Sequence, residues 1–313
     1  MIEAFAGETE HVPVLLEEVM AQLQPAPGGK YIDLTVGAAG HARGLLEGSR
    51  PDGRLLAIDA DPEAVGYARS ALAAYGERAI VRQGFFDELE ALAAEHGFAA
   101  VDGIVADLGL SSRQLADPRR GFSFQEEGPL DMRLDPATQT VTAADLVNGL
   151  PEAELASLLY RYGEERRSRA VARAIVRQRP ISTTTELASL VARTVGGRRR
   201  VHPATRVFLA LRIAVNDELG ALERMLPQAL ALLAPGGRLA VIAFHSLEDR
   251  IVKGFFRQQA TGCVCPPEAP VCRCDRRPAV RLLNRRPIVP GAFERARNPR
   301  SRSARLRAVE KLS

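Results

Sequence analysis

The sequence predicts an α/β protein in which a largely parallel sheet is interrupted by a helical insertion. Three observations carry that prediction. Short apolar runs alternate with helical patterns over the first 110 residues. The alternation stops across residues 111–200, where no comparable apolar strand occurs. One further continuous apolar run, Arg238–Phe244, then restores it. Apolar strands spaced by helix-length segments make βαβ units, whose crossover helices cover the faces of a parallel sheet.

The elements follow in chain order. Tyr31–Val36 (YIDLTV) reads as a buried strand, followed by a Gly/Ala turn and a helix through Leu46. Arg54–Ile58 is the second strand, and Pro62–Tyr75 is a helix begun by Asp61, because Asp before Pro is a helix-start signal. Arg78–Arg82 is the third strand, Asp87–His96 a helix, and Val101–Asp107 the fourth strand. A polar loop rich in Gly and Pro comes next, then helical stretches at Ala143–Val147, Glu152–Tyr160, Arg166–Gln178 and Glu186–Thr194, the last capped within Thr183–Thr185. Thr205 to Leu232 carries apolar residues at helical spacing, with a break expected near Pro227. Pro235-Gly236-Gly237 leads into the strand Arg238–Phe244, and short strands near Val280–Val289 and Ala304–Val309 complete the tail. The predicted organisation is a first sheet segment over 1–112, a helical domain over 113–215, and a second sheet segment with a basic tail over 216–313.

Composition narrows the function classes. An apolar content of 46% excludes wholesale disorder. No apolar run reaches the roughly 18 residues of a membrane span. The N-terminal MIEAFAGETEH lacks the basic start and apolar core of a secretion signal, and four cysteines make no disulfide scaffold, so a cytoplasmic, non-membrane protein is expected. The 42 basic and 38 acidic residues leave a net charge of only +4, but the charges are segregated. Residues 1–160 hold 11 basic and 26 acidic residues, whereas 161–200 hold 11 and 3, and 273–313 hold 13 and 3. Of the basic residues 39 are Arg, whose planar fork suits phosphate. One such segment reads as a solvated face; two shift the reading towards nucleic acid.

Ligand-competent residues fall at four strand ends. Gly37-Ala38-Ala39-Gly40-His41 follows the first strand, where a tight turn presents helix N–H groups to a ligand, although a turn that only packs strand on helix uses the same residues. Its spacing is not the G-x-G-x-x-G of a dinucleotide site, which disfavours a dehydrogenase. Asp59 ends the second strand, 22 residues beyond Gly37, where a carboxylate can accept both hydroxyls of an adenosine ribose. Phe85 and Phe86 follow the third strand and offer an adenine a ring face or pack into the core. Asp107 ends the fourth. Open α/β sheets bind ligands along this carboxyl edge, so the set points to an adenosine-containing cofactor.

These motifs, with Asp107-Leu108-Gly109-Leu110-Ser111-Ser112-Arg113-Gln114-Leu115, Arg120-Gly121-Phe122-Ser123-Phe124, Gly128-Pro129-Leu130-Asp131-Met132-Arg133, Tyr162-Gly163-Glu164-Glu165-Arg166, Phe244-His245-Ser246-Leu247-Glu248-Asp249-Arg250 and Asn298-Pro299-Arg300-Ser301-Arg302-Ser303, closely resemble the bacterial 16S rRNA cytosine-N4 methyltransferases of the MraW or RsmH family, nearly end to end. The resemblance implies a Rossmann-like S-adenosyl-L-methionine-dependent fold with an inserted all-helical domain, acting on a cytosine of the small-subunit decoding centre. Carried over position by position, it implies cofactor contacts at Ala39, Gly40, His41, Asp59, Phe86, Asp107 and Gln114. The family turn reads G-x-G-G-H, so Ala39 replaces a glycine, and its methyl either crowds the methionine part of the cofactor or requires a negative φ there.

The chemistry needs an acceptor on the cytosine amine, whose lone pair is shared with the ring. Asp107 and His245 are the candidates. Asp107 orients the amine, contacts the cofactor, or does both; a lone His at a strand end is otherwise a hydrogen-bonded structural residue. Glu248, Asp249 and Arg250 read as helix-start charges and an ion pair. Phe122 and Phe124 could stack on a displaced base but suit a core equally. Cys263, Cys265, Cys272 and Cys274 form two C-x-C pairs that could hold zinc, although a reduced, metal-free loop is preferred because one residue between ligands is tight. The expected partner is 16S rRNA within the small subunit, with the two Arg-rich segments, Arg198–Arg200 and Arg300–Arg305 among them, forming the RNA-binding rim. The rival reading is an RNA-binding assembly factor that keeps the cofactor fold as scaffold, or a methyltransferase of another nucleic acid or small amine.

Overall fold

The computed structural model describes residues 13–196, 202–263, 274 and 277–312. Seven strands form one sheet in the order β3-β2-β1-β4-β5-β7-β6. They are β1 Lys30–Asp33, β2 Arg54–Asp59, β3 Ala79–Gln83, β4 Val101–Asp107, β5 Leu233–Ala243, β6 Val280–Leu282 and β7 Arg305–Lys311. The first five run parallel, and β7 is antiparallel to both β5 and β6. The chain reverses direction across the sheet between β1 and β4, which makes their carboxyl ends the crevice of the fold. This is an α/β chain with a Rossmann-like sheet.

The helices are α1 Leu16–Leu23, α2 Gly40–Gly48, α3 Pro62–Leu72, α4 Leu89–Glu95, α5 Ser112–Ala116, α6 Ala143–Gly149, α7 Glu152–Gly163, α8 Ser168–Gln178, α9 Thr184–Val195, α10 Ala204–Asn216, α11 Glu218–Leu232, α12 Ser246–Ala260 and α13 Ala292–Arg297. Asp61 caps α3 by accepting the Glu63 N–H at 2.9 Å, with Pro62 at the first helical position. Thr183 caps α9 and Thr142 caps α6, each in a reciprocal capping box. None of the described helices is long and apolar enough to cross a membrane.

Three local readings change. The sequence pattern assigned nothing before β1, yet α1 packs Val19 and Leu23 into the sheet unit's core. The long helix breaks not at Pro227, which lies inside α11, but at Asp217, whose φ of 47° is left-handed. Asp tolerates that conformation better than most residues, and Arg212 bridges the break with two 2.8 Å bonds to Glu218. Finally, Pro235-Gly236-Gly237 does not precede the strand but lies within β5, where the pairing jumps from Val101↔Leu233 to Gly103↔Arg238. A bulge accommodates a proline that a regular ladder would reject.

Two compact units result. The sheet unit comprises residues 1–109 and 224–313, and the helical unit comprises 110–223. The sequence pattern placed these joints at 112/113 and 215/216. The sheet unit buries Ile32, Leu55, Ile58, Ile104, Val105 and Ile242 fully along its central strands. The helical unit has its own core around Leu155, Leu159, Val171, Ile175, Val191 and Leu211.

Candidate active site

The site is built where four parallel strands end. At the end of β1 the chain turns through Leu34–Ala39, and neighbouring strands hold it: the Leu34 and Val36 N–H groups donate to the Val105 and Ile58 carbonyls. Thr35 Oγ1 accepts the Asp107 N–H at 2.7 Å, tying β4 to β1. Asp59 closes the other side. Its Oδ2 accepts the Gly37 N–H at 2.9 Å and its Oδ1 accepts the Asp61 N–H at 3.0 Å. Asp61 is occupied as a helix cap, as its place before Pro62 implies, and Asp59 is the carboxylate left facing the turn.

The turn delivers the chain into α2 through Ala39, which has φ 61° and is fully buried. The left-handed conformation that glycine would adopt is therefore retained, and the negative φ considered for this alanine does not occur. Gly40 is bare for a different reason: a Cβ there would stand 2.7 Å from the ring of Pro13, which packs directly on the turn. His41, in the first turn of α2, places Nε2 3.0 Å from the Val14 carbonyl. A carbonyl only accepts, so Nε2 carries the proton, and Nδ1 is the atom turned towards Asp107, 3.8 Å from its Oδ2.

Asp107 is the unusual group. Its Oδ1 is buried with no hydrogen-bond partner among the described residues. Burial pushes its carboxyl well above the ordinary value, and the charges of Asp33, Glu248 and Glu294 push it further. Asp33 is raised to about 7, mainly by burial and partly by Asp59, against the opposing hydrogen bond from Thr35. Asp59 is raised to about 6 by burial, despite the backbone donors Asp61, Gly37 and Ala60. Carboxyls crowded at one strand edge and starved of solvent mark a place prepared for something else, since perturbed groups cluster at functional sites. A ligand carrying positive charge would relieve them.

His245 lies past the end of β5 as the N-cap of α12. Its Nδ1 accepts the Glu248 N–H at 3.4 Å, while Glu248 Oε2 receives the N–H groups of Phe244 and His245 at 2.8 and 3.1 Å. Its Nε2 lies 3.0 Å from Glu248 Oε1 without the alignment of a hydrogen bond. Glu248 is thus a helix-start charge, and Asp249 pairs with Arg307 and Arg305 of β7, partners that lie outside the motif. Phe86 follows β3 in a half-buried single turn. Gln114 belongs to the helical unit, where its side-chain oxygen accepts the Ser111 N–H at 2.8 Å in the cap of α5. The chain therefore brings Ala39, Gly40, His41, Asp59 and Asp107 around one turn. Sequence reading missed Asp33, Thr35, Glu248 and Glu294 as neighbours of Asp107; Thr35 and Asp33 sit inside the turn motif, but nothing local signals Glu294.

Several motif residues are structural. Phe122 is buried in the helical core, and Phe124 packs on His202 and Phe208 with ring centroids 4.8 and 4.9 Å away. Gly121 has φ 70°, and a Cβ there would strike the Pro129 carbonyl. Cys263 and Cys274 bring their Sγ atoms to 3.8 Å. Cys265, Cys272 and Arg198–Arg200 lie outside the described residues.

Against known proteins, the model of the MraW methylase family matches residues 8–312. The chain belongs to the MraW methylase family. Members include the ribosomal RNA small subunit methyltransferase H of Thermomicrobium roseum, 59% identical over 97% of this chain and 94% of that protein. The protein of the same name from Syntrophobacter fumaroxidans is 56% identical over 96% of each chain. Among solved structures, an rRNA methylase from Streptococcus thermophilus aligns over 99% of this chain and 100% of its own, at 10% identity and a TM-score of 0.42. That likeness is far weaker than the likeness to MraW relatives.

Proposed function

We propose that this MraW family member is an S-adenosyl-L-methionine-dependent methyltransferase that methylates the exocyclic N4 of a cytosine in 16S rRNA of the small ribosomal subunit. The observation that carries the reading is Asp107: a half-buried carboxyl at the crevice of the sheet, its buried Oδ1 unpartnered among the described residues, beside His41 and the Asp59-braced turn. The names of the relatives, small-subunit rRNA methyltransferases, support the substrate class.

The donor set fits the cofactor. The Asp59 carboxylate has four lone pairs and takes backbone N–H groups from Gly37, Ala60 and Asp61, which leaves acceptor capacity for a ribose hydroxyl. Phe86 offers a ring beside that end. The first turn of α2, at Gly40 and His41, offers N–H groups to the carboxylate of the methionine part. The Asp33–Asp107 carboxyls suit its ammonium and sulfonium charges. When bound, the cofactor supplies a methyl group already activated on sulfur, so positioning carries most of the rate.

Asp107 then acts on the nucleophile. As a carboxylate it accepts a hydrogen bond from the cytosine amino group, which raises the nucleophilicity of N4, and it takes up the proton the amine loses. His41, with its proton held on Nε2 by Val14, presents an acceptor to the same carboxyl. His245 Nδ1 is engaged as a helix cap and its Nε2 lies 3.0 Å from Glu248 Oε1, which favours Asp107 over it as the group that holds the amine. The base must leave its stack to reach a buried carboxyl, unless the RNA is already open.

Labelled methyl transfer from S-adenosylmethionine to small-subunit particles and to free rRNA, with mass spectrometry of the modified nucleoside, tests the reading. N4-methylcytidine is the expected product. Cofactor binding without incorporation would instead support an assembly factor. Asp107→Ala with near-normal turnover would remove Asp107 from the chemistry.

A further inference from the structure

The short helix α13 has two unlike edges. Its inner edge is anchored: Glu294 Oε1 accepts the Leu15 N–H at 2.9 Å, the Asn298 N–H returns to the Glu294 carbonyl at 2.7 Å, and the next turn buries Ser301 completely. Leu15 adjoins Val14, whose carbonyl holds His41, and His41 faces Asp107. The anchor of α13 therefore reaches the reacting edge through Leu15, Val14 and His41, and Glu294 is close enough for its charge to act on Asp107.

The outer face is turned about 100° from that anchor, the angle between successive helical residues. It carries Phe293 and Arg297, four residues apart and so on the same side. Phe293 is 75% exposed, the most exposed large apolar residue among those described, and Val289 close by is 57% exposed. The Arg297 guanidinium lies 5.5 Å from the centre of the Phe293 ring. Arg295, Arg300 and Arg302 of the same segment are also exposed. A single exposed aromatic is ordinary. An aromatic held out to solvent on an anchored helix, partly stacked by guanidinium in an Arg-rich segment, has the composition of a surface that binds unpaired bases: π-faces for stacking and Arg for the backbone.

We infer that Phe293 and Arg297 form a stacking platform for an unpaired RNA base next to the Asp107 edge, holding a nucleotide that flanks the target. This rests on the proposed rRNA reading and adds to it a binding site on α13. The cationic surroundings favour RNA over a protein partner, whose docking patch would need a broader apolar area.

The chain contains no Trp, so Phe293→Trp introduces a single fluorescent reporter at the platform. Titration with a single-stranded oligoribonucleotide, and with small-subunit rRNA, is expected to quench its emission saturably. Phe293→Ala and Phe293→Leu should both weaken RNA binding by about 5- to 100-fold, because both lose the stacking face. Neither should alter S-adenosylmethionine binding by calorimetry. Arg297→Gln should weaken RNA binding and flatten its salt dependence. If the unaltered protein methylates rRNA while Phe293→Ala binds it equally well, the platform is overturned and the enzymatic reading stands. Full affinity in Phe293→Leu would mean simple apolar contact and overturn stacking. Emission that changes with protein concentration instead of RNA would assign the face to a second copy of the chain. If the unaltered protein neither binds nor methylates RNA, both readings fall.

Discussion

Carboxylates in the sheet unit's crevice and carboxylates in the helical unit behave in opposite ways. In the helical unit, Asp117, Asp131, Asp145 and Glu186 are all held below their ordinary values. Arg119 and Arg133 hold Asp117 and Asp131, whereas Asp145 and Glu186 take N–H and hydroxyl bonds as the third residues of their helices. These groups brace the fold. Along the crevice, Asp33, Asp59 and Asp107 are all raised, by burial first and then by neighbouring carboxyls: Asp59 acts on Asp33, Asp61 on Asp59, and Asp33, Glu248 and Glu294 on Asp107. Satisfied charges stabilise a native state, and a crowd of unsatisfied ones costs stability that only a bound ligand recovers. Glu165 is the exception in the helical unit: fully buried, it accepts the Arg167 N–H at 2.8 Å on one oxygen and leaves the other unpartnered among the described residues.

The sheet unit contains its own control in Asp249. Arg307 and Arg305 reach it at 2.6 and 3.1 Å, and although its side chain is buried it is held below its ordinary value. It pins α12 to β7, far from needing a ligand.

The largest effect should come from Asp107→Asn, which keeps the shape and removes the proton acceptor. Turnover in the methyl-transfer assay should fall by about 10²- to 10⁴-fold, while the apoprotein melts higher at neutral pH because one crowded acid is gone. A fall in melting temperature would mean that Asp107 is a brace like Asp131. Arg307→Met makes the reverse change, leaving Asp249 with Arg305 alone. Losing one partner of a buried pair costs about 3–5 kcal/mol, the lower end applying here, measurable by urea unfolding; a cost under about 1 kcal/mol would show the pair to be surface-like.

Crevice and brace also separate by pH. Raised acids bind protons more tightly in the folded state, so Asp33 and Asp59 lower the stability of the apoprotein as pH climbs from about 4 to about 7. The lowered Asp131 and Asp249 contribute stability above the ordinary carboxylate range and lose it as pH falls through their depressed values. Melting temperature against pH should show both limbs. Asp33→Asn should flatten only the upper one, by on the order of 1 kcal/mol or more, and an unchanged upper limb would refute the crowding. The smallest effect is expected from Ala39→Gly, which relieves a left-handed alanine but adds chain entropy, for a net gain of about 0.5–1 kcal/mol. Thermal unfolding measures it, and a loss would show that the Ala39 methyl packs usefully.

Local chemistry made much of this legible in advance. The strands, most helices, the Asp61 cap and the four strand-end motifs announce themselves because apolar periodicity and turn residues act over a few neighbours. The break at Asp217 and the bulge around Pro235 escaped notice because Pro is a strong local signal whose effect surrounding packing can absorb. The helix α1 escaped because it draws its burial from the sheet. At the site, Asp59 and Asp107 could be picked out as strand-end carboxylates, and His41 as a helix-start residue.

What the chain alone determined is therefore the parallel sheet, the helical insertion and the list of acids available at its carboxyl edge. Only tertiary structure decided which acids are crowded and which are paired. Asp107 and Asp249 are both aspartates at element ends, and nothing within either motif separates them. One meets Asp33, Glu248 and Glu294, and the other meets two arginines from β7. Electrostatic energy depends on distance through space and on exclusion of water, and neither is written in the order of residues along a chain.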